Sequence, residues 1–397
     1  MDNTQRAWVE IDLDSVAHNI REIKKCLKPD VRLMATVKAD AYGHGVCETA
    51  KTILENGADA LAVAFIDEAI ELRQYGITVP ILILGNSPQA SIDDILEYDI
   101  TPAVFTMEFA KALSKRAALT GRTVNVHIKV DTGMHRIGFL YSSNAEECAK
   151  TIENILEVSK LPGIKIEGIF SHFSTSDEED TAYTLAQLEN FKELTEKLEN
   201  SGLKIPLKHI ANSAAIIKYP EAQFDMVRAG VIMYGMYPSD WVKNSGVKLK
   251  PAMSFKTRIV SIKTLQKGSG ISYGKTYITD QTKKIATISV GYADGYSRVF
   301  SGKVNVLVDG KKVKQLGRIC MDQCMIDVTT VNNIDIGDVV TLFGVGDGGS
   351  IPIEELADVM GTINYEVSCM IGRRIPRVYI KGGKQTRSVN YLLDIEG

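Results

Sequence analysis

The chain has 397 residues, 45% of them apolar and 24% charged, with a formal net charge of −3. This length predicts two or three domains with sizeable cores, and the near-balanced charge excludes a basic surface for nucleic acid or acidic membranes. We find no signal-peptide pattern at the N-terminus, and the longest apolar runs, such as 80–84, are too short to span a bilayer. The six cysteines form no CxxC pair, so we expect reduced thiols, a cytoplasmic location and no metal site.

The first part of the chain alternates β-branched runs with amphipathic stretches. The predicted strands are Leu33–Lys38, Ala60–Phe65, Ile81–Leu84, Thr101–Phe105, Val124–Val130, Ile166–Ser171, Lys208–Ala211 and Met226–Ala229. Helical patterns between them include Asp67–Tyr75, Glu108–Thr120, Ala145–Ser159 and Thr184–Ser201. Such alternation indicates parallel strands with crossover helices, and eight strands in about 250 residues favour a (β/α)8 barrel. A doubly wound open sheet is the alternative, but no GxGxxG motif follows the first strand.

The second part is predicted to be mainly β. Its candidate strands are Phe255–Leu265, Lys284–Val290, Val304–Val308, Gly317–Val328 and Val339–Phe343, followed by helical patterns at Ile353–Met360 and Ile363–Ile371. Asp309-Gly310 is typical of a two-residue hairpin turn. The stretch 238–246 is the predicted linker. We therefore expect a barrel domain over residues 1–240 and a mainly β domain over residues 241–397.

Lys38 ends the first predicted strand, at the edge of a barrel where active sites lie. Burial there would lower the pKa of its amine and make it nucleophilic, as a Schiff base requires; a surface lysine at a strand end is the alternative. The segment 37–45, VKADAYGHG, resembles the cofactor-lysine segment of the bacterial alanine racemases, which are fold-type III pyridoxal-phosphate enzymes. The resemblance implies that Lys38 binds pyridoxal 5′-phosphate covalently and that Tyr42 contacts its phosphate.

Two further segments of the barrel resemble that family. The stretch 129–138, KVDTGMHRIG, implies that Arg136 meets the substrate carboxylate, which an arginine fork suits well. The resemblance also implies that Lys129, carbamylated in many members, steadies this arginine. His172 follows the sixth predicted strand; a lone histidine is more often structural, but the resemblance implies that it lies against the cofactor ring.

The loops after the last two predicted strands are where barrels commonly bind phosphate. The resemblance implies that Ser213, Gly230 and Val231 hold the cofactor phosphate and that Arg228 faces the pyridine nitrogen. An arginine does not give up its proton under ordinary conditions, so we expect this nitrogen to stay unprotonated. The ring is then a weaker electron sink, which favours racemisation over transamination.

The β domain carries the second predicted base. The segment 271–277, ISYGKTY, resembles the family's second-base segment, and Tyr273 is implied to act on the face of the substrate opposite Lys38. A tyrosine with a pKa of about 10 needs nearby positive charge for this role. The resemblance also implies that Met321 and Cys320 lie near the substrate carboxylate, supported by Asp322, and that Tyr365 lies near the phosphate.

These features predict a cytoplasmic alanine racemase that interconverts L- and D-alanine and supplies D-alanine for peptidoglycan. Family members are homodimers in which the tyrosine matching Tyr273 acts in the barrel of the other subunit, and we expect the same here. The main alternative is a broad-specificity or serine racemase of the same fold. A basic amino-acid decarboxylase would carry an acidic partner in place of Arg228. A Schiff-base aldolase, or a pyridoxal-phosphate carrier without a β domain, leaves Tyr273 unexplained.

Overall fold

The computed structural model describes residues 3–142 and 144–394, which divide into two compact units. The barrel unit comprises Ala17–Ala41 and Val46–Leu249. The β unit comprises the rest of the described chain: the segment up to Val16, Tyr42–Gly45, and the chain from Lys250 onward. A single boundary near residue 240 therefore does not separate the two units, because the N-terminal segment is part of the β unit.

Eight parallel strands form a near-closed barrel, as predicted. In chain order they are Arg32–Thr36, Ala60–Val63, Ile81–Ile83, Thr101–Val104, Val124–Asp131, Ile164–Phe170, Leu207–His209 and Met226–Ala229. The eighth strand pairs with the first, Met226 opposite Arg32. Between the seventh and eighth strands, the backbone N–H of Arg228 donates to the carbonyl of Ala211 at 3.0 Å. The short strand Phe139–Leu140 pairs with the end of the fifth.

The barrel strands are buried on both faces, which explains their continuous apolar runs. Inward-facing side chains form one cluster in the interior: Met34, Ala60, Ala62, Leu82, Ala103, Phe170, Leu207 and Met226. Alternate residues, such as Leu33, Ala35 and Leu61, are fully buried on the other face. The interior is thus a packed core, and polar groups enter it only where particular strands place them.

Helices alternate with these strands. They are Leu13–Lys25, Val46–Glu55, Ile66–Gln74, Ile92–Glu97, Met107–Leu119, Ala145–Val158, Ala182–Asn200, Ser213–Lys218 and Asp240–Lys243. Ala145–Val158 shows why such segments are helical: Asn144 caps it by accepting from the backbone N–H groups of Glu146 and Glu147. Its residues Cys148, Thr151, Ile155 and Val158 recur at helical spacing and form its buried face.

The stretch 238–246, predicted as the linker, is ordered and belongs to the barrel unit. Residues 240–243 are helical, and Ser239 caps them by accepting from the N–H of Val242. The Trp241 ring lies 6.3 Å from that of Tyr219, and the Lys218 amine lies 3.9 Å above the indole. Aromatic packing and a cation–π contact thus fix a segment whose composition suggested a loop.

A left-handed turn follows the first barrel strand. Residues 39–42 all have φ between 53° and 55°. This conformation costs roughly 1–2 kcal/mol for each residue with a side chain, so neighbouring contacts must stabilise it. The carboxylate of Asp40 accepts from the backbone N–H of Val46 at 2.7 Å, and Glu68 accepts from that of Ala39 at 2.6 Å. The turn thereby fixes the backbone immediately after Lys38.

The β unit is built on one sheet. Along that sheet its strands are Gly349–Ile351, Val339–Gly346, Asn305–Val308, Lys311–Leu316, Cys324–Asp327, Lys283–Ile288, Met253–Leu265, Ala7–Asp12, Arg377–Lys381 and Lys384–Val389. The strand Met253–Leu265 also pairs with Val339–Gly346, so six of the strands close into a ring. The N-terminal strand Ala7–Asp12, which the sequence analysis missed, pairs with Met253–Leu265 and Arg377–Lys381.

Local details of the β unit follow its turn residues. Asp309 and Gly310 have φ of 46° and 70°, which confirms the predicted hairpin turn between the paired residues Val308 and Lys311. The predicted strand Gly317–Val328 was too long, because only Cys324–Asp327 is extended. A separate two-stranded ribbon joins Gly270–Ile271 to Tyr277–Ile278. The unit's helices are Ile353–Met360 and Asn364–Cys369.

Arg377 offers a test of the packing of the β unit. Its guanidinium is buried and donates to the carbonyls of Gly43, Gly372, Ile375 and Ile371. Because Arg377→Met leaves these carbonyls without that donor, we expect the free energy of unfolding to fall by roughly 3 kcal/mol in urea titrations.

The exposed Arg298 provides a matched control, since Arg298→Met removes the same charge from the surface of the β unit. We expect the free energy of unfolding of this variant to stay within about 0.5 kcal/mol of the wild type. Equal stability of the two variants would contradict the structural role of Arg377.

Candidate active site

Four cationic side chains of the barrel unit act on one imidazole. His172 is half-buried just beyond the sixth barrel strand, and its pKa lies well below the ordinary value. Burial is the largest cause, followed by the positive charges of Arg228, Lys129, Arg136 and Lys38. The structure therefore brings together five of the predicted site residues at the carboxyl ends of the barrel strands, with the imidazole neutral among them.

Arg228 is fully inside the barrel and has only neutral hydrogen-bond partners in the described chain. Its Nη1 donates to the carbonyl of His209 at 3.1 Å and contacts His209 Nδ1 at 2.9 Å. Its Nη2 donates to the carbonyls of Ser171 and Ile210 and contacts His172 Nδ1 at 3.1 Å. Burial, and then the charge of Arg136, lower the pKa of Arg228 to about 9. The guanidinium is therefore still charged at neutral pH.

Lys129 lies on the fifth barrel strand and is buried. Its Nζ donates to the carbonyl of Val130 at 2.7 Å and lies 5.4 Å from the centre of the Phe170 ring. Burial, and then the charge of Arg228, lower the pKa of this amine to about 7. A substantial fraction of the amine is therefore uncharged at neutral pH and available as a nucleophile.

The loop that carries Arg136 is organised by Asp131. The carboxylate of Asp131 accepts from the backbone N–H groups of Gly133, His135 and Arg136 at 2.9–3.0 Å. Although burial opposes it, these hydrogen bonds and the charge of Lys129 lower the pKa of Asp131. The Arg136 side chain is exposed at this fixed position, where it can meet a ligand without a large desolvation cost.

The predicted phosphate-binding residues of the barrel also lie together. The Oγ of Ser213 accepts from the backbone N–H of Gly230 at 2.9 Å, so the loops after the seventh and eighth strands are joined. Asn212 caps the turn that begins at Ser213, because its side chain accepts from the N–H of Ala215. Ser213, Gly230 and Val231 are all buried. The contact places a hydroxyl and a backbone amide at one corner of the barrel.

The predicted residues of the β unit share one groove. Tyr273, Cys320, Met321 and Asp322 all line it. The Tyr273 side chain is 69% exposed, and Ser272 fixes its turn by donating to the Arg318 carbonyl at 2.6 Å. The groove thus presents a phenol to the surface of its own unit.

Two other groups of the β unit support predicted site residues. Asp322 accepts from Nη2 of Arg374 at 2.8 Å, which keeps a positive charge beside the groove. The rings of Tyr42 and Tyr365 lie 6.1 Å apart at an angle of 53°. The two tyrosines that the resemblance assigned to the phosphate are therefore neighbours.

Sequence reasoning missed three polar residues that connect, directly or through one another, to Arg228. His209 and His127 are buried in the barrel interior, and Glu167 lies beside His127, yet none carried a motif that we interpreted. Strand alternation contained a clue, because His127 and Lys129 are two residues apart and share a face. Which inward-facing polar side chains of different strands contact each other can be known only from the closed barrel.

Comparison with known proteins identifies the family of this chain. The family model for the alanine racemase N-terminal domain matches residues 11–238, and the model for the C-terminal domain matches residues 252–379. The chain belongs to the alanine racemase family. It is 48% identical to alanine racemase 2 of Caldanaerobacter subterraneus subsp. tengcongensis, covering 98% of this chain and 99% of that one. It is 47% identical to the alanine racemase of Clostridium perfringens, covering 97% and 98%.

A solved structure agrees with these relatives. The alanine racemase of Clostridium difficile 630 superposes with a TM-score of 0.92 at 43% identity, covering 98% of this chain and 99% of that one. The prediction of a pyridoxal-phosphate-dependent racemase of this family is therefore confirmed, and the serine racemase alternative is not favoured. Within the described residues, none of the helices has the length and apolar character needed to cross a membrane.

The lowered pKa of Lys129 predicts a pH dependence of stability. Between pH 7 and 10.5 the unfolded chain keeps a proton that the folded chain has lost, so the free energy of unfolding rises with pH across this window. We expect Lys129→Met to remove roughly 2 kcal/mol of this rise between pH 7 and about pH 9, measured by urea unfolding of cofactor-free protein in CO2-free buffer.

Lys165→Met is the control, because Lys165 lies exposed on a neighbouring barrel strand. Its stability should follow the wild-type pH profile. A wild-type profile in Lys129→Met as well would show that the amine is protonated in the folded barrel throughout the window.

Proposed function

We propose that this chain interconverts L- and D-alanine with pyridoxal 5′-phosphate, using Lys38 and the Tyr273 of a second copy of the chain as its two bases. The observation that carries the proposal is the cluster of Lys38, Lys129, Arg136 and Arg228 around His172. These cations suit a ligand that carries both a phosphate and a carboxylate. The proposal includes a cytoplasmic enzyme that supplies D-alanine for cell-wall precursors.

The donor groups of the barrel fit the cofactor. Ser213 and the backbone at Gly230 and Val231 would hold its phosphate. Lys38 would bind its aldehyde carbon, and the fully buried Arg228 would offer N–H groups to its ring nitrogen. When bound, the cofactor supplies a conjugated system that acidifies the Cα–H bond of an amino acid.

Cationic side chains at the carboxyl ends of the barrel strands would bind and orient the substrate. Arg136 would pair with the alanine carboxylate, since its backbone is fixed by Asp131. The uncharged form of Lys129 would add CO2 to give a carbamate and a proton, and the resulting anion would face the guanidinium of Arg136. This would turn a cation that repels Arg136 into an anion that steadies it.

Racemisation needs one base on each face of the Cα–H bond, because one face loses a proton while the other gains one. Lys38 would serve one face and Tyr273 the other. The exposed phenol in its groove supports a site completed by a second subunit, with Met321, Cys320 and Asp322 of the same groove beside the substrate carboxylate. The head-to-tail homodimer is thus part of the proposal.

Arg228 would favour racemisation over side reactions such as transamination. Its guanidinium stays charged at neutral pH and can only donate hydrogen bonds, so the ring nitrogen that it faces would act as an acceptor without a proton. The cofactor ring, when bound, would then supply a weaker electron sink. This arrangement keeps the proton exchange at Cα and disfavours transamination.

The cofactor lysine can be tested directly. Borohydride fixes an aldehyde bound to a lysine as a stable secondary amine, so the reduced enzyme should carry the cofactor mass on the peptide that contains Lys38. We expect Lys38→Arg to lose both this labelled peptide and racemisation, and Lys129→Arg to keep the label. A cofactor mass on any other lysine of the wild type would refute the assignment.

Mixing two inactive variants tests the shared site. Lys38→Ala and Tyr273→Phe should each lack racemase activity as homodimers. If each site combines Lys38 of one subunit with Tyr273 of the other, their heterodimer holds one intact site, and random exchange should restore about a quarter of wild-type activity.

The control is a mixture of each single variant with the double variant Lys38→Ala/Tyr273→Phe, which can form no intact site. Measurement is by chiral chromatography of alanine after subunit exchange. No recovery in the first mixture, once mass spectrometry has shown that heterodimers form, would mean that the two bases do not combine across subunits.

A further inference from the structure

A line of polar side chains in contact connects Arg228 to a carboxylate at the opposite end of the barrel. Arg228 Nη1 contacts His209 Nδ1 at 2.9 Å, and His209 Nε2 contacts His127 Nδ1 at 2.8 Å. His127 Nε2 in turn lies 3.6 Å from Oε2 of Glu167. Both imidazoles are buried, whereas 28% of the Glu167 side chain is exposed. The line therefore runs from the cationic cluster to solvent.

The direction of every proton in this line follows from Arg228. A guanidinium only donates, so His209 Nδ1 must accept and the proton of the neutral His209 must lie on Nε2. That proton points at Nδ1 of His127, which must also accept, so the His127 proton lies on Nε2 and points at Glu167. Only a group that accepts can end such a line. A carboxylate does so, and it bears the charge opposite to that of Arg228.

Packing against residues of the barrel strands accommodates both histidines. An added Cβ at Gly168 would lie 2.5 Å from His127 Nδ1, so the sixth strand needs a glycine for the imidazole to fit. The register between the fifth and sixth strands shifts at His127, which lies opposite Gly168. The His209 ring stacks on Phe170 at 5.0 Å with an interplanar angle of 4°. Packing therefore fixes both rings at hydrogen-bonding distance.

The charges at the two ends of the line, on Arg228 and Glu167, support the same proton positions. Arg228 has no carboxylate partner in the described chain, and desolvation makes such a cation costly. The contact with His127 is the largest of the causes that lower the pKa of Glu167, and Lys165 and Arg32 act in the same direction. Glu167 and His127 also line a cavity of about 300 Å³ at the end of the barrel away from Lys38, together with Arg32 and Asp59. The carboxylate of Asp59 accepts a hydrogen bond from the backbone N–H of Leu33 at 2.7 Å.

We propose that Glu167, His127 and His209 are positioning residues that fix the orientation of the Arg228 guanidinium by allowing only one arrangement of protons along this line. If the arrangement reversed, His209 would present an N–H to the guanidinium, and two donors would face each other in the core. The inference rests on the proposed role of Arg228 at the cofactor nitrogen. The proton positions themselves exist whether or not the cofactor is bound.

The proton positions can be measured in the wild type. Solid-state 15N NMR of protein labelled in its six histidines distinguishes protonated from unprotonated ring nitrogens, and single His→Gln variants assign the signals. We expect both His127 and His209 to be neutral with the proton on Nε2, in cofactor-free protein and in the holoenzyme. A His209 signal with the proton on Nδ1, or with both nitrogens protonated, would overturn the proposal.

Three variants test the role of the carboxylate. Glu167→Leu removes the terminal acceptor, so we expect the His209 nitrogen signals to move although His209 does not touch Glu167, and kcat for alanine to fall on the order of tenfold with little change in KM. Glu167→Gln keeps an oxygen that accepts, so it should restore the wild-type His209 signals and most of kcat. Glu199→Leu is the control, because Glu199 pairs with Lys208, the neighbour of His209 in the chain.

The outcomes separate this inference from the proposed function. Wild-type His209 signals and kcat in Glu167→Leu, or an equal loss in Glu199→Leu, would refute a positioning role for Glu167. A wild-type enzyme that does not racemise alanine would refute the proposed function and leave the proton positions in the cofactor-free protein as a separate result.

Discussion

The burial of one guanidinium among neutral acceptors is the constraint on which the rest of the site depends. Arg228 donates to backbone carbonyls of two strands and contacts two imidazoles, and none of these partners carries a negative charge. A cation in such a place has a lowered pKa but stays charged at neutral pH. Burial, and then the charge of Arg228, lower the pKa of His172 and His209, so both imidazoles are neutral and accept from the guanidinium. The ring nitrogen of a cofactor at this position would likewise have to accept a hydrogen bond from the guanidinium.

The remaining cations suit the anionic ligand of the proposed function. Lys38, Lys129, Arg136 and Arg228 repel one another around His172, and Asp131 is the carboxylate that faces Lys129. A phosphate and a carboxylate bring negative charge to this cluster, as would a carbamate on Lys129. In the proposed function, the negative charge of the ligand would offset the repulsion among these cations.

The sequence was informative where the determinants of structure are local. Runs buried on both faces, such as Val124–Asp131, predicted the barrel, and Asp309-Gly310 predicted its hairpin because both residues adopt positive φ. The strand Ala7–Asp12 was missed because its partners lie about 245 and 370 residues further along the chain. The stretch 238–246 is more ordered than its composition suggested, because a tryptophan within it packs on Tyr219.

For the site, the family motifs indicated Lys38, Arg136 and Arg228, which lie at or beyond the carboxyl ends of barrel strands. They did not indicate His127, His209 or Glu167, whose importance depends on which inward positions meet across a closed barrel. The left-handed turn after Lys38 was equally beyond local propensity, since alanine, aspartate and tyrosine rarely adopt it in succession. Tertiary contacts through Asp40 and Glu68 decide that conformation.

The protonation state of the cofactor ring is the most direct test of this account. Enzyme reconstituted with pyridoxal phosphate labelled with 15N at the ring would be measured by solid-state NMR at neutral pH. The account predicts the chemical shift of an unprotonated pyridine nitrogen that accepts a hydrogen bond from Arg228. The shift of a protonated pyridinium would contradict it.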